Sequence, residues 1–253
     1  MTKPSKARVR QSFERAAGTY DNAAAVQRRI CHDLSDRLPP RTVQRLLDAG
    51  CGTGYALPLL RQRFPQAHVV GLDLSPAMLS RVPEPCCRVA ADLEHLPLAD
   101  ACLDLFWSSL AVQWCDLPAT LHEARRILKP GGTLALASLG PATFHELRQA
   151  FAGVDDYRHT LPFHGVDDIH RMAADVGLQG IAIDQYPQLA CYADFKSLLR
   201  AVKAIGANQV GSGRRTSLMS RSAFQKAEAA YEMQRTPNGL PLTYDVITLI
   251  AHA

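Results

Sequence analysis

A doubly wound α/β fold with a mostly parallel sheet is what this chain of 253 residues predicts, on three observations. Apolar strand-like runs alternate with helix-like ones from about residue 43 to 186, the pattern of successive βαβ units. The first of those runs leads into "LLDAGCGTG" (46–54), where Gly50, Gly52 and Gly54 hold alternate positions. Acids then stand at the ends of three successive strand-like runs: Asp48, Asp73 and Asp92.

Taken in order, two helices open the chain, 5–17 and 20–37, the second stopped by Pro39-Pro40. Strands are read near 43–48, 67–73, 87–91, 102–108 and 132–139, and helices near 55–64, 76–81, 117–127 and 143–151. "KPGG" (129–132) reads as a turn just ahead of the fifth strand. A helix near 166–176 and a strand near 180–186 continue the rhythm, which breaks after Pro187. Residues 193–235 read as helical around the loop "GANQVGSGRR", and "PLTYDVITLIAHA" closes the chain as a seventh strand. The expected organisation is a helical arm (1–40), an α/β core (41–187), a helical cap (188–238) and a final core strand (239–253). Folds of this kind bind ligands at the C-terminal strand edge, over which arm and cap are placed to close.

Composition bounds the function. At 47% hydrophobic and 21% charged the chain is globular, and no apolar run approaches the roughly 20 residues of a membrane span. The basic start "MTKPSKARVR" has no hydrophobic signal core behind it, so the cytoplasm is the expected location. Seven cysteines with no C-x-x-C pair argue against a zinc ribbon or a disulfide framework. His159, His164 and His170 match no metal spacing, and no metal is expected. Residues 1–45 carry ten Lys/Arg against four Asp/Glu, and residues 188–235 carry eight against three, so two basic segments flank an acidic body. They read either as solvated helical faces or as surfaces that steer an acidic partner. Without an aromatic-basic recognition module, nucleic acid is not the expected partner.

The glycine loop narrows the ligand. Dinucleotide loops run G-x-G-x-x-G, whereas this one runs G-x-G-x-G, and the Lys and Ser/Thr of a P-loop are missing. Asp48 would repel a phosphate and suits a cation. S-adenosylmethionine carries an ammonium, a sulfonium and no phosphate. Asp73 then suits a bridge across both ribose hydroxyls, and Asp92 can accept from an adenine amino group. Cys51 fits inside the loop by its small size.

With these residues the chain resembles the class I S-adenosylmethionine-dependent methyltransferases, over about 40–187 and the last strand. "LLDAGCGTG", "GLDLSPAML", "ADLEHLPL", "LDLFWSSLAVQW" and "LKPGG" match that family's successive motifs. The resemblance implies a seven-stranded Rossmann-like sheet with the last strand antiparallel between the fifth and sixth. It implies S-adenosylmethionine as cofactor, leaving as S-adenosylhomocysteine. It assigns cofactor contacts to Asp48, Gly50, Gly52, Gly54, Asp73 and Asp92, with Leu74, Met78 and Leu93 lining the adenosine pocket and Gln27 nearby.

Outside the shared core, "VRQSFERAAGTYDNAAAVQ" (9–27), "SSLAVQWC" (108–115), "KAIGAN" (203–208) and "LPLTYD" (240–245) occur in order. As a set they resemble the malonyl-acyl carrier protein O-methyltransferases of biotin synthesis. That likeness implies esterification of the free carboxylate of a malonyl thioester, with an acyl carrier protein as partner, and is compatible with a monomer. Such a carboxylate is already ionised near neutral pH, so no general base is needed. Arg214 is the first candidate to grip it and Arg215 the second, because guanidinium donors match carboxylate geometry. Tyr20 would orient the acceptor over the cofactor. Gln113 and Trp114, after the fourth strand, would line the acceptor pocket. Ordinary packing for Tyr20 and Trp114, and a solvated surface for Arg214, are the competing readings. A methyltransferase for another small carboxylate, such as an aconitate-type acid, and a noncatalytic assembly factor of the same fold are the rival functions.

Overall fold

The computed structural model describes residues 4–204, 213 and 219–253. Seven strands form one sheet: β1 (Arg45–Ala49), β2 (His68–Asp73), β3 (Cys87–Ala90), β4 (Leu103–Ser109), β5 (Leu128–Leu139), β6 (Gln179–Tyr192) and β7 (Leu240–His252). Their spatial order is β3-β2-β1-β4-β5-β7-β6. β1 to β5 run parallel, and β7 is antiparallel to both β5 and β6. The strand order reverses between β1 and β4, which opens a crevice beyond their C-terminal ends.

Alternation of side chains divides the core between the two sheet faces. Leu46, Leu105 and Trp107 pack on one face with α3 (Ala25–Asp36) and α4 (Ala56–Arg63). Leu47, Phe106 and Leu134 pack on the other with α6 (Leu117–Ile127) and α8 (Val166–Asp175). Because both faces are covered, the central strands read as nearly continuous apolar runs rather than as alternation. Each of these wholly buried side chains contributes about 1.5–3 kcal/mol of transfer free energy.

Local chemistry fixes the helix starts. Ser75 caps α5 (Pro76–Leu79), accepting from the Met78 N–H at 3.3 Å, and Asp116 caps α6, accepting from the Ala119 N–H at 3.1 Å. Each cap is followed by a proline in the first turn, where a missing N–H costs nothing.

Four readings of the sequence are corrected. The single helix expected over 20–37 breaks at Ala24 (ψ +27°) into α2 (Tyr20–Ala23) and α3. "KPGG" lies inside β5 as an irregularity, because Leu128 already pairs with Leu103 before the register jumps to Leu105 and Thr133. β3 ends at Ala90, so Asp92 stands two residues beyond it, in an isolated bridge with His95. β6 runs on through Pro187 to Tyr192, since β7 stays paired with it from His252 back to Leu240. The helices between β6 and β7 are α9 (Phe195–Ala204) and α10 (Arg221–Glu232). Among the described residues the remaining α-helices are α1 (Lys6–Ala16) in the arm and α7 (His145–Phe151) after β5. No helix among the described residues is long and apolar enough to cross a membrane.

Candidate active site

The loop after β1 is held open by its glycines. The N–H groups of Gly50 and Cys51 both donate to the Leu72 carbonyl, at 2.7 and 2.9 Å, which pins the loop to the end of β2. Gly50 sits at φ +79°, and a Cβ added there would lie 2.2 Å from the Ala111 Cβ. Gly52 sits at φ +55° with nothing within 4 Å of the same virtual atom, so its backbone is bare toward the crevice. Gly54 plays another part: buried against Leu57 and Val82, it turns the chain toward α4 and lines an adjoining groove with Asp21, Thr53 and Tyr55. Cys51 is buried, its sulfur 3.2 Å from where a Cβ on Gly71 would stand, so only a small side chain fits.

Asp73, the last residue of β2, buttresses this loop. Its carboxylate accepts from the Gly52 N–H at 2.9 Å and from the Ser75 N–H at 2.8 Å. Burial pushes its pKa up, and bonds from the Ser75, Gly52 and Leu74 backbones pull it back. Asp48, inside β1, is 2% exposed, and its Oδ2 has no hydrogen-bond partner. Burial first, then the Asp73 charge, pushes the Asp48 carboxyl up to about 8. An orphaned buried carboxylate oxygen costs free energy until a donor or cation meets it.

Asp92 is already engaged. The Lys6 ammonium, reaching in from α1, lies 2.8 Å from Asp92 and 2.7 Å from Glu94. These two carboxylates and Cys115 form the one group of three metal-capable side chains found among the described residues, and the Lys6 ammonium bridges its two carboxylates. The arm is tied down at its other end by Thr53, whose hydroxyl donates to Asp21 at 2.6 Å. His159 pairs with Asp155 at 2.9 Å and stacks on Phe151 with ring centroids 3.8 Å apart, while His170 is exposed.

Three adjoining cavities result. The largest, about 620 Å³, is lined by Lys6, Gly50, Gly52, Asp73, Leu74, Met78, Asp92 and Leu93, under the α1 face that carries Val9 and Phe13. A second, about 480 Å³, opens beside Asp48, Gly50, Gly52 and Gln27. The third, about 540 Å³, is lined by Gln113, Trp114, Gln27, Phe144, Phe163 and Tyr244 among others, with no charged side chain in its wall among the described residues. Phe13, Tyr20, Leu110 and Trp114 form a wall common to the first and third. Tyr20 borders all three, and burial, then the Asp73 and Asp21 charges, pushes its phenol up, so it stays a neutral donor. Trp114 meets Phe13 edge to face at 5.6 Å. Gln113 donates from Nε2 to the Leu110 carbonyl at 2.7 Å and leaves Oε1 buried without a partner.

The structure thus gathers Tyr20, Gln27, Asp48, Gly50, Gly52, Asp73, Leu74, Met78, Asp92, Leu93, Gln113 and Trp114 at one strand edge and sets Gly54 apart. Arg214 and Arg215 lie outside the described residues. Sequence reading missed Lys6, Phe144, Phe163 and Tyr244. Lys6 had a signal, since it shares the helical spacing of Val9 and Phe13. Phe163 sits in a stretch without periodicity, which gave none.

A parallel sheet switching direction at β1/β4, a bare glycine loop and buried acids beside it define a class I S-adenosylmethionine-dependent methyltransferase. Residues 47–136 match the family model described as a methyltransferase domain. A malonyl-[acyl-carrier protein] O-methyltransferase of Dechloromonas aromatica is 69% identical over 99% of this chain and 95% of its own length, and one of Laribacter hongkongensis is 44% identical over 96% and 87%. The chain belongs to the malonyl-[acyl-carrier protein] O-methyltransferase family. A biotin biosynthesis bifunctional protein of Cellvibrio japonicus is 37% identical over 97% of this chain, which matches 50% of that longer protein. Among solved structures, the fold resembles a chain in a complex of the Haloferax volcanii Trm112 methyltransferase activator with a methyltransferase (TM-score 0.60, 22% identity, 97% of each chain). It also resembles the geranyl diphosphate C-methyltransferase of Streptomyces coelicolor (TM-score 0.53, 18% identity, 88% of this chain and 77% of that one).

Proposed function

We propose that the protein esterifies the free carboxylate of a malonyl thioester carried on acyl carrier protein, the methylation that starts pimeloyl synthesis for biotin in the cytoplasm. The observation that carries the reading is the shared wall: a neutral, largely apolar pocket meets the acid-lined cleft across Phe13, Tyr20, Leu110 and Trp114. The 69% identical relative, named for malonyl-[acyl-carrier protein], supports the acceptor.

S-adenosylmethionine supplies a methyl group on a positive sulfonium. In this reading Asp73 holds the ribose hydroxyls, Asp48 faces the ammonium of the methionine part, and Leu74, Met78 and Leu93 flank the adenosine. Asp92 and Lys6 close the far end. Tyr20, a neutral donor at the junction, aligns the acceptor carboxylate, with Gln27 and Gln113 beside it. Arg214 remains the candidate for the second grip on that carboxylate. The acceptor is ionised already, so the wall contributes alignment and exclusion of water rather than proton transfer. Residues 1–40 and the helices between β6 and β7 act as the covering parts.

The test is incubation with methyl-labelled S-adenosylmethionine and malonyl-acyl carrier protein, malonyl-coenzyme A, free malonate or aconitate. Label is expected in the carrier-bound ester, with little in either free acid. Equal labelling of the free acids, or none anywhere with cofactor binding intact, would overturn the reading.

Asp48 adds a pH prediction. Its carboxyl stands at about 8 in the ligand-free protein, above its ordinary value. A raised carboxyl favours the folded state at low pH, and that contribution is lost as pH rises through about 8. A cation beside Asp48 favours the ionised form, so cofactor binding releases a proton and tightens as pH rises from about 6 toward 7, where the ligand's amino group stays charged. Calorimetry at pH 6.5–7 in buffers of different ionisation heat is expected to show release of roughly one proton, abolished in Asp48→Asn. A binding enthalpy independent of buffer in the parent protein would remove Asp48 from the ammonium site.

A further inference from the structure

We infer that the groove between α1 and α9 is the docking surface for the acidic carrier protein, an inference that rests on the proposed acceptor. The groove, about 670 Å³, is lined by Ser12, Arg15 and Thr19 from the arm and by Arg200 and Lys203 from α9, with no acid in its wall among the described residues. α9 has two faces. Phe195, Leu198 and Val202 are buried, while Lys196, Arg200 and Lys203, spaced four and three apart, are exposed. Arg15 projects from the side of α1 next to the face that covers the crevice.

Neighbouring acids among the described residues form no ion pair with these cations, although Asp194 stands near enough to Arg200 for that charge to help the Ser197 backbone N–H hold its carboxyl below the ordinary value. Glu14 pairs with Arg10 at 2.8 Å, and Asp194 caps the start of α9, accepting from the Ser197 N–H at 2.7 Å. Arg15, Arg200 and Lys203 form no ion pair with another described residue. The groove also adjoins the acceptor pocket: Phe13 follows Ser12 and Tyr20 follows Thr19, and both line that pocket. A partner seated there presents its prosthetic arm next to the wall at which the methyl group is transferred. The free acceptor end is small and anionic, and its own pocket is neutral among the described residues, so three unpaired cations outside that pocket fit the body of the carrier.

Arg15→Glu, Arg200→Glu and Lys203→Glu, singly and combined, test this on the full chain. The triple variant is expected to lose about 10–100-fold in kcat/KM for malonyl-acyl carrier protein, with a flattened dependence on salt. Its turnover of malonyl-pantetheine and its cofactor affinity are expected to match the parent protein. Unchanged carrier kinetics would overturn the inference. So would an equal loss on malonyl-pantetheine, which would mean damage to the fold, or on malonyl-coenzyme A, which would mean that the groove reads the phosphate of the prosthetic arm. Binding of labelled holo-carrier by fluorescence anisotropy separates this inference from the function itself. If the parent protein binds the carrier through the groove yet methylates no malonyl thioester, the function falls and the surface stands. If it methylates while the triple variant binds the carrier normally, the surface alone falls, as it does if the parent prefers a DNA duplex to the carrier at equal salt.

Discussion

Gly50→Ala is expected to lower the melting temperature by about 5–15 °C and to abolish measurable cofactor binding. Two costs combine. The residue sits at φ +79°, where a side chain costs roughly 1–2 kcal/mol. The new Cβ would also stand 2.2 Å from the Ala111 Cβ, so the loop or the turn after β4 must move, at about 1–3 kcal/mol. The two parts can be separated. In Gly50→Ala/Ala111→Gly the overlap is gone and the strain remains, so the double variant is expected to recover part of the loss in melting temperature. Cofactor affinity and melting temperature equal to the parent protein in Gly50→Ala would refute the loop geometry.

Asp73→Ala is expected to weaken cofactor binding by about 100–10,000-fold, measured by isothermal titration. Each charge-assisted bond to a ribose hydroxyl contributes about 1.5–3 kcal/mol, and two are lost. The same carboxylate accepts from Gly52 and Ser75, so the loop also loses the anchor that keeps its bare backbone in place. The acceptor KM at saturating cofactor is expected to change far less, because Asp73 lines the cavity proposed for the cofactor and not the one proposed for the acceptor. Retained affinity would remove Asp73 from the ribose.

How much of this was legible beforehand differs by kind of residue. Asp48 and Asp73 lie in β1 and β2 and Gly50 and Gly52 in the turn after β1, so strand period, turn chemistry and the parallel pairing of neighbouring strands expected of βαβ units fix their mutual placement. Gly54 shows the limit of pattern matching. It belongs to the same repeat, yet it is buried against Leu57 and Val82 and lines a neighbouring groove with Asp21, Thr53 and Tyr55. Asp92 lines the crevice, and no sequence signal pointed to its partner. Lys6 lies 86 positions away, and no local rule connects an arm lysine to an acid after β3. β6 was cut short because Pro187 and the fading alternation looked like an end, whereas pairing with β7 along its whole length carried it to Tyr192.

By itself the sequence determined the α/β class, the cofactor and the family, because these rest on local periodicity and on short contiguous motifs, while the antiparallel position of the last strand followed only from the family resemblance. Tertiary structure alone decided that Tyr20 stands where three cavities meet, that Phe144, Phe163 and Tyr244 complete the uncharged cavity proposed for the acceptor, and that Arg15 comes to face Arg200 and Lys203. The physical reason is that such convergence depends on where the arm and the α9 helix dock on the sheet. That docking is set by apolar burial summed over many residues, which no single stretch of chain encodes.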